Sequence, residues 1–357
     1  MALWIFVVFL VSLVFAVPIA MSMVFGALTP LLLGGTGSSI QQLIANSFSG
    51  SDPTPILAVH LFILGGVLMA EGGISKRLFN FFAYFVGNLP GGLPSAVILT
   101  CLFYGAISGS GPATTAAVGA MTIPFLTEMG YDKTWTSGMI ATAGGLGVII
   151  PPSIPFVLYS LATGVSTGAL FLAGILPGIL IGGFMIAYAV YYSIKKGEDK
   201  EKISKKMKEI RSEGLFKLFK QSFWALLSPV IVLGGIYSGI VTPTEAAVIS
   251  VFYSLIVSLF IYKSIAFSEI IPFLGKAVKT YAPLTFVLAF ATAFGRVLAL
   301  AKAPALIEGF ILNNFTSELS VLTGIVVIFL LLGMVMDTGP AIVILSPILL
   351  PAVQSLA

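Results

Sequence analysis

The residues best spaced to do chemistry lie in Gly105-Ala-Ile-Ser-Gly-Ser-Gly-Pro-Ala-Thr-Thr115. Ser108, Ser110 and Thr114 supply hydroxyls, while Gly109, Gly111 and Pro112 free backbone carbonyls by interrupting helix. Hard cations such as Na⁺ take oxygen ligands. Unwound carbonyls and half-helix C-termini offer them without burying a full charge. Ile149-Ile-Pro-Pro-Ser-Ile-Pro155 offers a second set of freed carbonyls together with Ser153 Oγ, because three prolines in five residues remove donors and break a helix. Together these form a candidate Na⁺ site of Ser108, Ser110, Gly111 and Thr114 with the backbone of Ile149, Ile150 and Pro151. The alternative is that the small residues only let helices pack closely.

Two charged residues stand apart. Asp337, in Gly333-Met-Val-Met-Asp-Thr-Gly-Pro-Ala341, lies between apolar segments, and such a residue is a functional candidate. Three roles are open to it: Na⁺ ligand, proton carrier, or partner of a polar substrate group. The bland reading is a hydrated residue that caps the following helix with Thr338. Arg296 is the only Arg inside an apolar span, Phe286–Leu300. It either anchors an anionic substrate bidentately or snorkels to an interface. Thr242-Pro-Thr-Glu245 reads as a capping box, and Glu71 as a solvated helix end. A single cysteine, Cys101, excludes an intramolecular disulfide. The single histidine, His60, leaves an intramembrane serine protease formally open with Ser108 or Ser110, but nothing positions or activates such a pair. The expectation is a protein that is not an enzyme and carries no cofactor beyond a coupling ion.

The elements that position these residues follow from apolarity. Leu93–Tyr104 and Ala116–Leu126 flank the first tip with 12 and 11 residues, about half of the ~20 a spanning helix needs. Two half-length helices meeting at a Gly/Ser/Pro tip predict a re-entrant hairpin over 92–128, which is tolerated at membrane depth where protein buries it or it lines a cavity. Apolar residues make up 58% and charged residues 9% of 357, with mean hydropathy +1.08, so the fold class is an all-α polytopic membrane protein. The net charge of +4 points to topology, not nucleic acid.

Apolar residues run unbroken over 2–34, about 50 Å as one helix; Pro18 divides them into spans at 2–16 and 17–34. No Lys or Arg precedes the apolar core, which argues against a signal peptide. A short interfacial helix over 35–53, a span at 55–71 and an interfacial segment at 75–86 precede the hairpin. A proline-broken span at 134–163 and a span at 168–194 follow it. Residues 195–221 hold ten of the 18 Lys and Arg and read as a basic cytoplasmic linker. Beyond it come spans at 222–241, 243–262 and 281–300, an interfacial segment at 303–315 and a second hairpin at 318–356.

An offset of 228 residues places Gly105, Gly111, Pro112 and Ala113 on Gly333, Gly339, Pro340 and Ala341, Leu78 on Leu306 and Phe62 on Phe290. The domain reading is therefore a first repeat at 1–194, the linker at 195–221, and an incomplete second repeat at 222–357. A full copy holds five spans, an odd number, so the second copy runs inverted, as in secondary transporters. With the linker inside and the N-terminus outside, 16 of 18 basic residues fall inside, a strong positive-inside signal. The repeat extends to position 422, about 65 residues past Ala357, so a C-terminal truncation is expected.

These residues resemble a family, the large membrane subunit of tripartite ATP-independent periplasmic (TRAP) transporters. The likeness is carried by Phe15-Ala-Val-Pro-Ile-Ala20, Glu71-Gly-Gly-Ile-Ser-Lys-Arg-Leu78, Gly105-Ala-Ile-Ser-Gly-Ser110, Ile149-Ile-Pro-Pro-Ser-Ile-Pro155, Gly168-Ala-Leu-Phe-Leu-Ala-Gly-Ile-Leu-Pro-Gly178 and Val241-Thr-Pro-Thr-Glu-Ala-Ala247. The resemblance implies Na⁺-driven uptake of small organic anions (carboxylates or acid sugars) through the inner membrane of a bacterium or archaeon. It implies an ion-transporter-like elevator fold, delivery by a periplasmic substrate-binding protein and pairing with a small four-helix membrane subunit. Carried over by position, Ser108, Ser110 and carbonyls near Ile149–Pro152 serve the first Na⁺ site. Ser110, Ser153 and Asp337 lie near substrate, Arg296 anchors the anion, and Thr338 with Gly339 forms part of a second Na⁺ site. The competing readings are a stand-alone Na⁺/carboxylate or ion transporter and, from another class, a channel or membrane scaffold.

Overall fold

The structure, a computed structural model, describes residues 1–34, 39–50, 52–315, 317–334 and 336–354. All regular elements among these residues are helical. In chain order they are α1 (Ala2–Val14), α2 (Ile19–Leu32), α3 (Ile40–Ser49), α4 (Thr54–Glu71), α5 (Ile74–Val86), α6 (Gly92–Ser108), α7 (Gly111–Glu128), α8 (Lys133–Gly144), α9 (Leu146–Ile149), α10 (Ile154–Thr163), α11 (Thr167–Lys196), α12 (Lys200–Ser212), α13 (Leu215–Tyr237), α14 (Pro243–Ile256), α15 (Ile270–Leu300), α16 (Ala303–Asn314), α17 (Glu318–Gly333) and α18 (Thr338–Gln354). Among the described residues five helices are long and apolar enough to cross a membrane, or six if α8–α10 is one interrupted span.

The chain forms two compact units. One comprises Met1–Ile56, Val157–Val165 and Lys279–Ala357. Its core gathers Ile5, Phe9, Met23 and Phe294 with Val297, Leu298, Ile344 and Ile348. Gly26 lets Phe294 approach, since a Cβ there would lie 2.7 Å from the ring. Ser39 caps α3 in a capping box with Gln42. The other unit comprises Leu57–Phe156 and Ser166–Val278. Its core is built on α6, with Leu93, Ile98, Cys101 and Tyr104 buried against Leu78 and Phe79 of α5.

Several expectations meet the structure closely. The first hairpin is α6–α7, from Gly92 to Glu128, and the proline cluster interrupts the helix between Ile149 and Ile154. Thr242 and Glu245 form the capping box that opens α14. Others need correction. The expected spans at 2–16 and 17–34 form helices of 13 and 14 residues, each shorter than a straight crossing. The span expected from 281 begins at Ile270. Residues 195–221 hold the end of α11, all of α12 and the start of α13. Their polar composition hides an apolar stripe, Ile203, Met207 and Ile210, at helical spacing and buried.

Candidate ion and substrate site

Helix α6 stops at Ser108 because Gly109 takes the left-handed region, φ 62°, and its N–H closes back on the Gly105 carbonyl at 2.8 Å. Ser110 then turns extended and caps α7, its Oγ accepting from Ala113 N at 3.4 Å, with Pro112 in the first turn. The whole reversal takes two residues. It sets the C-terminal carbonyls of α6 beside the N-terminal amides of α7, a negative and a positive helix end together.

The tip oxygens cluster. Ser108 Oγ and Thr114 Oγ1 are 3.0 Å apart, Thr114 Oγ1 donates to the Ser110 carbonyl at 2.8 Å, and Ser108 Oγ lies 3.4 Å from that same carbonyl. Ser108 is 1% exposed and Thr114 0%, so water does not solvate these groups. Hydroxyls held in this way can turn their lone pairs to a desolvated cation. Among the described residues no three His, Cys, Asp or Glu side chains cluster as a metal site. The oxygens gathered at the tip are neutral, the hydroxyls of Ser108 and Thr114 and the Ser110 carbonyl.

The proline break packs onto this tip. The Gly109 carbonyl accepts Ile154 N–H at 3.2 Å, and a Cβ on Gly109 would stand 2.9 Å from the Pro152 carbonyl. The peptide between Pro151 and Pro152 is cis. Ser153, fully buried, donates from Oγ to the Val148 carbonyl at 2.6 Å. Gly111 faces Val148. The Ile149 carbonyl instead lies against Gly174 of α11, 2.6 Å from where its Cβ would be, and the Ile150 side chain fills the space at Gly178. Pro152, not Ile149, thus brings its carbonyl to the tip.

Three glycines make this fit possible, Gly105 of the tip motif and two that sequence reasoning passed over, Gly147 and Gly66. A Cβ on Gly105 would sit 2.5 Å from Gly147 Cα, and one on Gly147 would collide with Thr114 Oγ1. A Cβ on Gly66 of α4 would meet Ser108 Cα at 3.0 Å. The signal was present in Gly144-Gly-Leu-Gly147 and Gly65-Gly66, where small residues mark close backbone approach.

The remaining candidates belong to the other unit. Asp337 is exposed; its Oδ1 accepts Thr338 N–H at 2.9 Å and its carbonyl accepts Ala341 N–H at 3.3 Å. Its side chain thus bonds the first amide of α18. Thr338 is exposed, while Gly339 is buried against Leu284 and Leu158. Arg296 is exposed on α15.

Apolar helices long enough to span, and a buried hairpin tip lined by oxygens beside a broken helix, define a multi-pass membrane protein with a discontinuous-helix site. Residues 6–357 match the family model described as the tripartite ATP-independent periplasmic transporter, DctM component, and the chain belongs to that family. It is 41% identical over 345 residues to the isethionate TRAP transporter permease protein DctMQ of Oleidesulfovibrio alaskensis, covering 97% of this chain and 53% of that one. It is 37% identical over 331 residues to the C4-dicarboxylate TRAP transporter large permease protein DctM of Pseudomonas aeruginosa, covering 93% and 76%. It is 32% identical over 340 residues to the ectoine TRAP transporter large permease protein TeaC of Halomonas elongata, covering 95% and 77%. The chain thus spans about half the length of the first of these relatives and about three quarters of the other two.

Proposed function

We propose that this chain is the transmembrane subunit of a Na⁺-coupled importer of small organic anions. A periplasmic binding protein delivers the anion, and a small membrane subunit pairs with this one. The observation that carries the reading is the buried oxygen cluster of Ser108, Ser110 and Thr114 against the Pro152 carbonyl. In this reading a Na⁺ ion displaces the hydroxyl-to-carbonyl bonds of the tip and is held by Ser108 Oγ, Thr114 Oγ1 and carbonyls around Ser110 and Pro152. The α7 N-terminus, with Ser110 and Ser153 near it, favours an adjacent carboxylate or sulfonate. Two of the relatives are named for isethionate and for C4-dicarboxylates, which are organic anions. Arg296 and Asp337 are proposed for substrate contact, and Thr338 with Gly339 for part of a second ion site.

The two hairpins are of similar build, 17 and 18 residues in α6 and α7, 16 and 17 in α17 and α18. That supports a repeat; in this reading the second copy is inverted, the first hairpin enters from the cytoplasm, the N-terminus is outside and the movement is of elevator type. Reconstitution of the permease in liposomes tests the reading. Accumulation that needs both a Na⁺ gradient and the binding protein is expected. Uptake without the binding protein would favour a stand-alone carrier, and downhill flux with no Na⁺ coupling a channel. Ser110→Ala should raise the Na⁺ half-saturation concentration; an unchanged value sinks the ion assignment.

A further inference from the structure

At the opposite end of the first hairpin from its tip, one carboxylate meets both arms. Glu198 lies in the corner between α11 and α12. Its Oε1 accepts the Gly91 N–H at 2.9 Å and the Tyr131 hydroxyl. Gly91 caps the start of α6, and Tyr131 follows closely on Glu128, where α7 ends. A single oxygen therefore closes a ring through the two arms at their base.

Each of the three partners is held in place by its own packing. Gly91 sits at φ 67°, and a Cβ there would be 2.7 Å from Val190 Cα, so α6 begins in contact with the backbone of α11. The Tyr131 ring is fixed by stacking, with Trp135 at 6.1 Å and 20°, and Trp135 in turn on Tyr192 at 4.0 Å and 4°. Burial and the bond to Glu198 push the Tyr131 phenol upward, so it keeps its proton and remains a donor. On the Glu198 side, Asp199 caps α12 by accepting Lys202 N–H at 3.1 Å. Helix α12 then seats Met207 against Gly87 of α5, and Arg211 donates to the Tyr84 carbonyl at 3.1 Å. The basic segment is thus a strap that carries a pin.

A carboxylate in two hydrogen bonds, one from a backbone amide, is stronger than an exposed ion pair. Its leverage comes from geometry. Each arm is about 26 Å long, so a 5° tilt of the hairpin about its base carries the tip roughly 2 Å along the broken helix that packs on it, while a ligand cage tolerates about 0.5 Å. We propose that Glu198 is a positioning residue that pins the arms of the first hairpin at their base and so sets where Ser108, Ser110 and Thr114 stand against the broken helix. The inference rests on the ion-site reading for its functional consequence only.

The test compares Glu198→Ala with Glu198→Gln in the full permease in nanodiscs, read first by hydrogen exchange without Na⁺. In Glu198→Ala, exchange should rise at residues 91–95 and also at the tip, 109–114, by about 5-fold for a hydrogen bond worth ~1 kcal/mol. Gln keeps an acceptor for both donors and should restore the wild-type pattern. Should the Ala variant not fold, Tyr131→Phe removes one of the two bonds and should give the same pattern at smaller size. Faster exchange at the base with an unchanged tip would overturn the pin, as would failure of Gln to rescue. In uptake assays, Glu198→Ala should raise the Na⁺ half-saturation concentration several-fold with little loss of maximal rate. An unchanged half-saturation in a permease whose wild type needs Na⁺ also overturns the proposal. A wild type that needs no Na⁺ sinks the ion site instead and leaves tip exchange to decide the pin.

Discussion

The two hairpins turn over the same Gly-Pro-Ala step but differ in what surrounds it. Under the 228-residue offset, Met336, Thr338 and Ile342 stand where the first tip has Ser108, Ser110 and Thr114. Two of three hydroxyls are gone, and Asp337 takes the place of Gly109. At the first tip Ser108 and Thr114 are buried and Pro112 is exposed; at the second Gly339, Pro340 and Ala341 are buried while Asp337 and Thr338 are exposed. The difference teaches that the repeated template sets a chain reversal, not a chemistry. The proposed ion chemistry at the first tip would draw on two hydroxyls the second tip lacks, Ser108 and Thr114, and on the broken helix packed against them.

The glycines at the two turns separate the hairpins most sharply. Gly105 and Gly333 are equivalent by the offset, yet a Cβ on Gly105 meets Gly147 Cα at 2.5 Å while one on Gly333 meets nothing within 4 Å. Gly105→Ala should force α6 from α9, cost about 1–3 kcal/mol as overpacking does, and abolish uptake through loss of tip geometry. Gly333→Ala should be neutral or gain ~0.5–1 kcal/mol from helix propensity. Thermal unfolding and reconstituted uptake read both. Equal damage from the two would mean that the hairpins are packed alike after all.

The next largest contrast is hydroxyl chemistry. Thr114→Val keeps shape but removes the oxygen bonded to Ser108 Oγ and the Ser110 carbonyl. It should raise the Na⁺ half-saturation about 10-fold and cost ~1 kcal/mol of stability. Val at Thr114 makes the first tip resemble the second, where Ile342 already stands. A Na⁺ titration of uptake with no shift would remove Thr114 from the site.

A smaller effect is expected at the second tip. Asp337→Asn keeps an acceptor for Thr338 N–H and removes only an exposed charge. Stability should change by less than ~0.5 kcal/mol, with Na⁺ dependence at the first site intact. A raised anion half-saturation in that variant would identify Asp337 as a substrate contact; a shift in Na⁺ dependence would move ion chemistry to the second tip.

Much of this was legible in the chain because membrane solvent makes strong rules. Apolar arms around Ser-Gly-Ser-Gly-Pro form the expected hairpin, though at 17 and 18 residues they are longer than the half-length helices the apolar runs suggest, and Pro151, Pro152 and Pro155 break a helix. The boundaries at 92 and 128 follow from glycine and proline punctuation. What escaped was tertiary. No local pattern says which carbonyl of a broken helix turns toward a tip, so Ile149 was favoured over Pro152. Glycines that serve close approach look like glycines that serve nothing until the second backbone is present. Polar composition over 195–221 conceals three buried apolar residues, so α12 and the strap behind Glu198 become visible only in the fold.

The smallest expected effect lies in how the two hairpins are anchored, and it is a matter of pH. The strap on the first hairpin depends on Asp199, whose carboxylate caps α12 and is held below its ordinary value of 3.8 chiefly by the Lys202 backbone N–H. The second hairpin opens with Ser317, whose neutral hydroxyl accepts Ser320 N–H at 3.2 Å. A carboxylate depressed on folding contributes stability that is fully present above its unfolded value and is lost as pH falls through the folded one. Protection of the first turn of α12 should therefore be flat from neutrality to about pH 4 and decline below it. Glu209, depressed mainly by its hydrogen bond to Lys206, acts in the same direction within α12. The Ser317 cap carries no such titration. Hydrogen-exchange protection factors, corrected for intrinsic rates, should fall at 202–206 in acid and stay constant at 320–322. Asp199→Asn should flatten the decline at α12 while retaining a cap, because Asn still offers a side-chain oxygen. If both helix starts lose protection together, the asymmetry between the two anchors is absent and the strap has no electrostatic part.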